Sequence, residues 1–120
     1  WLGVRLINNP SAMKNELSLG QWDAYKLESS ASVKESLNAL LNLMKISELS
    51  SLHASTSIMI IPGYKFRMIN GLITNFHQPH STLLLLISAW IGEKWKDVYG
   101  FAFDNEFRFL SYGDCSLLLS

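Results

Sequence analysis

Gly71-Leu-Ile-Thr74-Asn75-Phe76-His77-Gln78-Pro79-His80-Ser81-Thr82-Leu83-Leu-Leu-Leu86 is the stretch that decides how this chain is read. Leu72 and Ile73 form a short apolar run of the kind expected in a buried strand, and a compact polar segment follows. From Thr82 onward the residues read as a helix. Ser81, just after Pro79, is placed as its N-cap, because a serine hydroxyl can accept from a backbone N–H that the first turn leaves unpaired. Strand, polar elbow and helix N-terminus would gather backbone donors, hydroxyls and an imidazole in one small volume. Proteins of the α/β class tend to hold their ligands at such places.

Working outward, the helix from Thr82 should run to a C-cap at Gly92, and a second helix carries Trp95, Val98, Tyr99, Ala102 and Phe103 at helical spacing. Phe107 to Ser111 reads as a strand, Gly113-Asp114 as a turn and Cys115 to Leu119 as a final strand. Upstream, Ser55 to Ile61 ends in an unbroken apolar run that suits a strand covered on both faces, stopped by Pro62-Gly63. Tyr64 to Gly71 should be a loop or short ribbon leading into the strand Leu72 to Asn75. Ser32-Val-Lys-Glu35 has capping-box spacing, and Leu37, Leu40, Leu41 and Met44 then recur as one apolar stripe, read as core. Residues 8–31 show no clear period and read as a long connection, with a short extended piece near Trp22 to Tyr25. Trp1 to Ile7 reads as the end of a helix closed by Asn8-Asn9-Pro10.

The 120 residues, 48% of them hydrophobic, amount to one domain or less. Trp1 is not a native-looking start, so residues 1–120 are read as a fragment, and apolar surface left by missing neighbours should make it self-associate or behave poorly in solution. Ten basic residues balance ten acidic ones, which argues against an autonomous nucleic-acid binder. The lone Cys115 can form no internal disulfide and fits a reducing cytosol. Leu83 to Ile91 is too short to cross a bilayer, and no glycine-rich phosphate loop or paired-histidine metal spacing is present. No metal and no membrane are therefore expected.

Three groups of residues together carry a resemblance. Thr74-Asn75-Phe76-His77-x-Pro79-x-Ser81-Thr82-Leu83-Leu84, with Pro62-Gly63-Tyr64-x-Phe66 before it and Arg108-Phe109-x-Ser111-Tyr112-Gly113-Asp114 after it, resembles the S-adenosylmethionine:tRNA ribosyltransferase-isomerases of queuosine biosynthesis. The likeness is close in the second half of the chain and looser before it, where Trp1-Leu2-Gly3-Val4 looks like the tail of a family helix. Gln78, Asn70, Phe107 and Cys115-Ser116 depart from the family's usual Leu, acidic residue, Tyr and Ala-Met. The resemblance implies the C-terminal segment of an α/β domain, a mixed sheet flanked by helices. It also implies a cytoplasmic enzyme that uses S-adenosylmethionine as a ribosyl donor and tRNA as acceptor, the tRNA being held mostly by parts outside this segment. Alone, the segment should be inactive; the alternatives are a diverged, non-catalytic relative that binds tRNA or a partner, and a different enzyme that uses S-adenosylmethionine.

Such a reaction needs a base beside a sulfonium, help for a leaving adenine and a neutral amine. His77 is the first candidate for proton transfer, since an imidazole can give and take a proton at neutral pH; its other reading is to fix the turn through a hydrogen bond. Thr74, Asn75, Ser81 and Thr82 could meet ribose hydroxyls or a carboxylate, or could simply close the elbow and cap the helix. Phe76 could stack on a base or fill the core. Arg108, Tyr112 and Asp114 form a second group. Arg108 should face away from Phe107 and Phe109 toward a phosphate, a carboxylate or an ordinary ion pair; Asp114 is a second catalytic candidate or a turn residue.

Overall fold

The computed structural model describes residues 1–10 and 17–119. Its contacts divide the chain into two compact units, Trp1–Met59 and Ile60–Ser120. Both mix helices with a small sheet, so the α/β class holds. The mixed strand directions are split between the units: a parallel pair in the first and an antiparallel pair in the second.

The first unit contains α1 (Leu2–Asn8), β1 (Leu17–Leu19), α2 (Asp23–Lys26), α3 (Val33–Ile46) and β2 (Ala54–Thr56). The capping box forms as read. Ser32 Oγ accepts the Glu35 amide at 3.2 Å and Glu35 Oε2 accepts the Ser32 amide at 2.7 Å. The Ser32 hydroxyl also donates to Glu35 Oε2 at 2.7 Å, and the two donors on that oxygen stabilise the Glu35 carboxylate and lower its pKa, the backbone donor more than the hydroxyl. The face of α3 that packs is offset from the expected stripe. Leu43 is buried with Leu6 and Leu17, and Ala39 and Leu40 lie against them, whereas Leu37 and Leu41 are exposed and Met44 is half-buried. Gly3 explains the offset: a Cβ there would sit 2.0 Å from the Ser36 carbonyl oxygen, so α1 meets α3 along its small residues, Ser36 and Ala39.

β1 runs parallel to β2, with Leu17 opposite Ala54 and Leu19 opposite Thr56. Two features of the sequence reading are corrected here. The long connection contains a strand, and Trp22 to Tyr25 is a turn leading into a helix rather than an extended piece, because Asp23 Oδ2 accepts the Gly20 amide at 2.7 Å and turns the chain into α2. The same carboxylate binds Arg5 Nη1 at 2.8 Å. That turn removes the partner β2 would need, so the apolar run does not continue as a strand to Ile61 and β2 itself is exposed rather than covered on both faces. Among the described residues, the Ser57 and Met59 amides, bonding the Leu19 and Gln21 carbonyls at 3.0 Å each, extend the pairing. Residues 11–16 of the expected connection lie outside the described residues.

The second unit holds β3 (Gly71–Asn75), α4 (Thr82–Ile91), a 3-10 turn at Gly92–Lys94, α5 (Trp95–Asp104) and β4 (Cys115–Leu119). β3 and β4 pair antiparallel, Leu72 opposite Leu118 and Asn75 opposite Cys115. Alternation sends Leu72 and Leu118 inward while Ile73, Leu117 and Leu119 face out, so Ile73 is exposed where a buried position was expected. A two-stranded ribbon covers one face only. Phe76, Ile87, Tyr99, Ala102 and Leu118 form the core, with Trp90, Trp95, Phe107 and Phe109 packed around them. Gly92, at φ +61°, ends α4 as read.

Phe107 to Ser111 is not a strand. The Phe107 amide bonds the Ala102 carbonyl at 3.0 Å, the Arg108 amide bonds Asp114 Oδ2 at 2.8 Å, and Leu110 turns left-handed at φ +73°. A helix carbonyl and a carboxylate take the place of a neighbouring ladder, although Phe107 and Phe109 still alternate with an outward Arg108. The close helix contact in the first unit gives a direct check. Gly3→Ala should destabilise that unit by roughly 1–3 kcal/mol, the usual cost of forcing extra volume into a packed contact, seen as an earlier midpoint in urea unfolding.

Candidate functional site

The elbow between β3 and α4 is held at its backbone from three sides. The Phe76 amide bonds the Asp114 carbonyl at 3.4 Å, the Leu110 amide bonds the Phe76 carbonyl at 2.8 Å, and the His77 amide bonds the Tyr99 hydroxyl at 3.0 Å. The turn that follows closes through the Ser81 amide on the Gln78 carbonyl, with His80 left-handed at φ +65°. α4 then starts without the expected side-chain cap. The Leu84 amide is taken by the Ser81 carbonyl at 3.1 Å, which satisfies the donor the Ser81 hydroxyl was expected to meet, and Ser81 Oγ is buried with no partner among the described residues.

His77 points back along the strand. Its Nε2 lies 2.8 Å from Thr74 Oγ1, and Thr74 Oγ1 is also 3.3 Å from the Asn75 carbonyl oxygen. When the Thr74 proton goes to that carbonyl, Nε2–H donates to Thr74 and Nδ1 keeps the lone pair; the other tautomer reverses the roles. Partial burial disfavours the cation and lowers the His77 pKa, which favours the neutral ring that can accept a proton. With Nε2–H on Thr74, turn fixation and proton acceptance are compatible, since each uses a different ring nitrogen.

Asn75 Nδ2 donates to the Gly113 carbonyl at 3.4 Å, and Ser116 Oγ to the Thr74 carbonyl at 3.3 Å. Asp114 closes the neighbouring loop. Its amide bonds the Arg108 carbonyl and its Oδ2 accepts the Arg108 amide, both at 2.8 Å, with Arg108 Nε a further 3.8 Å from the same oxygen. Gly113 is required there, because a Cβ would lie 2.2 Å from the Arg108 carbonyl oxygen. Phe76, 4% exposed, is a core ring whose centroid lies 5.3 Å from Tyr99, 5.4 Å from Phe107 and 5.5 Å from Phe109. Of its two readings, packing is what the ring does.

The fold therefore brings together Thr74, Asn75, Phe76, His77 and Asp114, with Ser81 at the far side of the turn. Thr82 is exposed in the first turn of α4, and Arg108 and Tyr112 project from the 107–114 loop into solvent, Tyr112 at 98% exposure. Tyr99 is the participant the sequence reading did not single out. Its helical spacing marked it as packing, and nothing in the spacing signals a hydroxyl that returns to a peptide 22 positions earlier. No group of three or more His, Cys, Asp or Glu among the described residues is placed to hold a metal.

A family model described as a queuosine biosynthesis protein matches residues 18–118. Proteins named S-adenosylmethionine:tRNA ribosyltransferase-isomerase are similar to this chain. The one from Zymomonas mobilis is 58% identical over 65 residues, 53% of this chain and 19% of its own length. That from Erythrobacter litoralis is 54% identical over 65 residues with the same shares, and that from Legionella pneumophila 52% over 73 residues, covering 60% of this chain and 22% of the relative. The chain thus spans about a fifth of the length of these curated relatives. A crystal structure of an S-adenosylmethionine tRNA ribosyltransferase from Thermotoga maritima superposes with a TM-score of 0.54 at 33% identity, over 69% of this chain and 31% of that one.

Two outcomes follow from the geometry. Gly113→Ala should open the 107–114 loop at a cost of roughly 1–3 kcal/mol, read by denaturant unfolding of the second unit. In an NMR titration, His77 should titrate below the ordinary histidine value of about 6.5. With the folded pKa depressed, the unfolded chain binds the proton more readily, so His77 lowers stability as pH falls from about 6.5 through the folded value. Comparing unfolding of the unmodified protein and His77→Gln at pH 7.5 and pH 5 isolates this contribution.

Proposed function

Because the chain belongs to the queuosine biosynthesis protein family, we propose that it forms part of a tRNA-modifying transferase-isomerase. In this reading the ribosyl unit of S-adenosylmethionine is transferred to the aminomethyl group of a 7-deazaguanine in tRNA and isomerised to epoxyqueuosine, with adenine and methionine released. Activity, donor and tRNA are assigned to a cytoplasmic polypeptide of the relatives' length, of which the matched stretch of this chain covers about a fifth. No helix among the described residues is long and apolar enough to cross a membrane.

The observation that carries the reading is the His77 imidazole, 2.8 Å from Thr74 Oγ1 on a strand-to-helix elbow inside the matched span, with burial favouring its neutral form. His77 would take the proton from the carbon next to the sulfonium or pass one to the departing adenine, using the nitrogen that Thr74 leaves open. Thr74, Asn75, Ser81 and Thr82 would meet ribose hydroxyls or the methionine carboxylate. Ser81 Oγ has hydrogen-bonding capacity to spare, and Thr82 lies in the first turn of α4, where the helix dipole favours an anion. Asp114 would hold the 107–114 loop and present its remaining carboxylate oxygen, while the exposed Arg108 and Tyr112 would reach tRNA phosphate or base. Phe76 would support the elbow from the core side rather than stack on a base.

The experiment is adenine release from S-adenosylmethionine in the presence of tRNA bearing the aminomethyl-deazaguanine, by the complete polypeptide and its His77→Ala form. Release should require that tRNA and fall by roughly 10²–10⁴-fold in the variant, the range of a lost general acid or base. Release at an unchanged rate in His77→Ala would place proton transfer on another residue. Absence of release from the unmodified polypeptide would remove the reaction assignment.

A further inference from the structure

We propose that Tyr99 is a positioning residue whose buried hydroxyl, by accepting the His77 amide proton, fixes the peptide from which the His77 imidazole reaches Thr74. Among the described residues, the Phe76 amide and carbonyl bond backbone groups of Asp114 and Leu110. The His77 amide is instead held by a side chain, and it belongs to the residue that carries the imidazole. The oxygen is well located because the ring is. Tyr99 is 5% exposed, its centroid lies 5.3 Å from Phe76, 5.9 Å from Trp95 and 6.0 Å from Phe109, and Ala102 beside it on α5 is fully buried.

Burial also raises the phenol's pKa, which keeps the hydroxyl un-ionised across the neutral range and its oxygen a neutral acceptor. α5 therefore acts as a fixed post against which the elbow is registered. A small displacement of the His77 peptide moves the ring off its 2.8 Å contact with Thr74, and misplacement of a reacting group by about 1 Å can cost on the order of 10²-fold in rate. The catalytic consequence rests on the proposed role of His77. The positional one does not.

The test uses the complete polypeptide and its Tyr99→Phe variant, which keeps the ring and deletes one oxygen. Three changes are expected together. The His77 amide should exchange with solvent at least about tenfold faster, as for a donor released from its only acceptor. The His77 imidazole should titrate closer to its ordinary value as the elbow loosens. Adenine release should fall in kcat by roughly ten- to a hundredfold while KM for S-adenosylmethionine stays within about twofold. Unchanged amide exchange with an unchanged His77 titration overturns the proposal. So does the same set of changes, equal in size, in Trp95→Leu, which loosens the ring stack but keeps the hydroxyl. The two NMR readings need no turnover, so an unmodified protein that releases no adenine ends the reaction assignment while they still decide on Tyr99. If Tyr99→Phe does not fold, amide exchange in the unmodified protein decides: a protected His77 amide supports the proposal and an unprotected one overturns it.

Discussion

Two consecutive peptide groups, those of Phe76 and His77, carry the constraint on which the second unit depends. Where β3 ends, the ladder with β4 ends too, and the polar backbone of the elbow still needs partners because it runs beside the core. It finds them in three different places: the residue before β4, the 107–114 loop and the side chain of α5. Each partner is thereby placed as well. The loop closes on Phe76 through Leu110, β4 begins in register after Asp114, and α5 cannot turn about its axis without withdrawing the Tyr99 hydroxyl.

The rings follow from the same constraint. Phe76 stands at the centre of Tyr99, Phe107 and Phe109, with edge or tilted contacts between 5.3 and 5.5 Å. Aromatic pairs of this kind contribute about 0.5–1.5 kcal/mol each beyond the area they bury. They draw together β3, α5 and a segment with no regular structure, which explains how residues 107–111 are fixed without a ladder. Leu110 bears the conformational cost at φ +73°, and the Gly113 amide on its carbonyl at 2.9 Å closes the turn.

Elements whose pattern is local were legible in the sequence. The Ser32–Glu35 capping box, the Gly92 cap, α4, α5 and β4 lie where spacing and turn chemistry put them. Positions decided by distant partners were not. The packed face of α3 depends on an α1 glycine, the length of β2 depends on a turn at Asp23, and the burial of Ile73 depends on whether anything covers the outer face of the ribbon. The site divided in the same way. Thr74 and His77 are three residues apart and were readable as one group, while Tyr99 joins them only through the fold. Ser81 shows a local rule overridden locally: the tight turn gives the first helical donor a backbone carbonyl, which leaves the hydroxyl over.

The charges near the elbow bear on the chemistry proposed for it. A substrate that carries a sulfonium would repel an imidazolium, so a proton acceptor beside it must be neutral before the substrate arrives. Burial of His77 provides that without a counter-charge, since desolvation alone depresses its pKa. Asp114 suits a different task. One of its oxygens already accepts the Arg108 amide, and a carboxylate committed to holding a loop is a poor mobile base, yet its charge still favours a cation nearby. Under the proposed reaction, the ring would serve the proton, the fixed carboxylate the field and the phenol the position, each group's environment suiting it to one task. In such an arrangement, rate would depend less on any single side chain's basicity than on the registration of the His77 peptide.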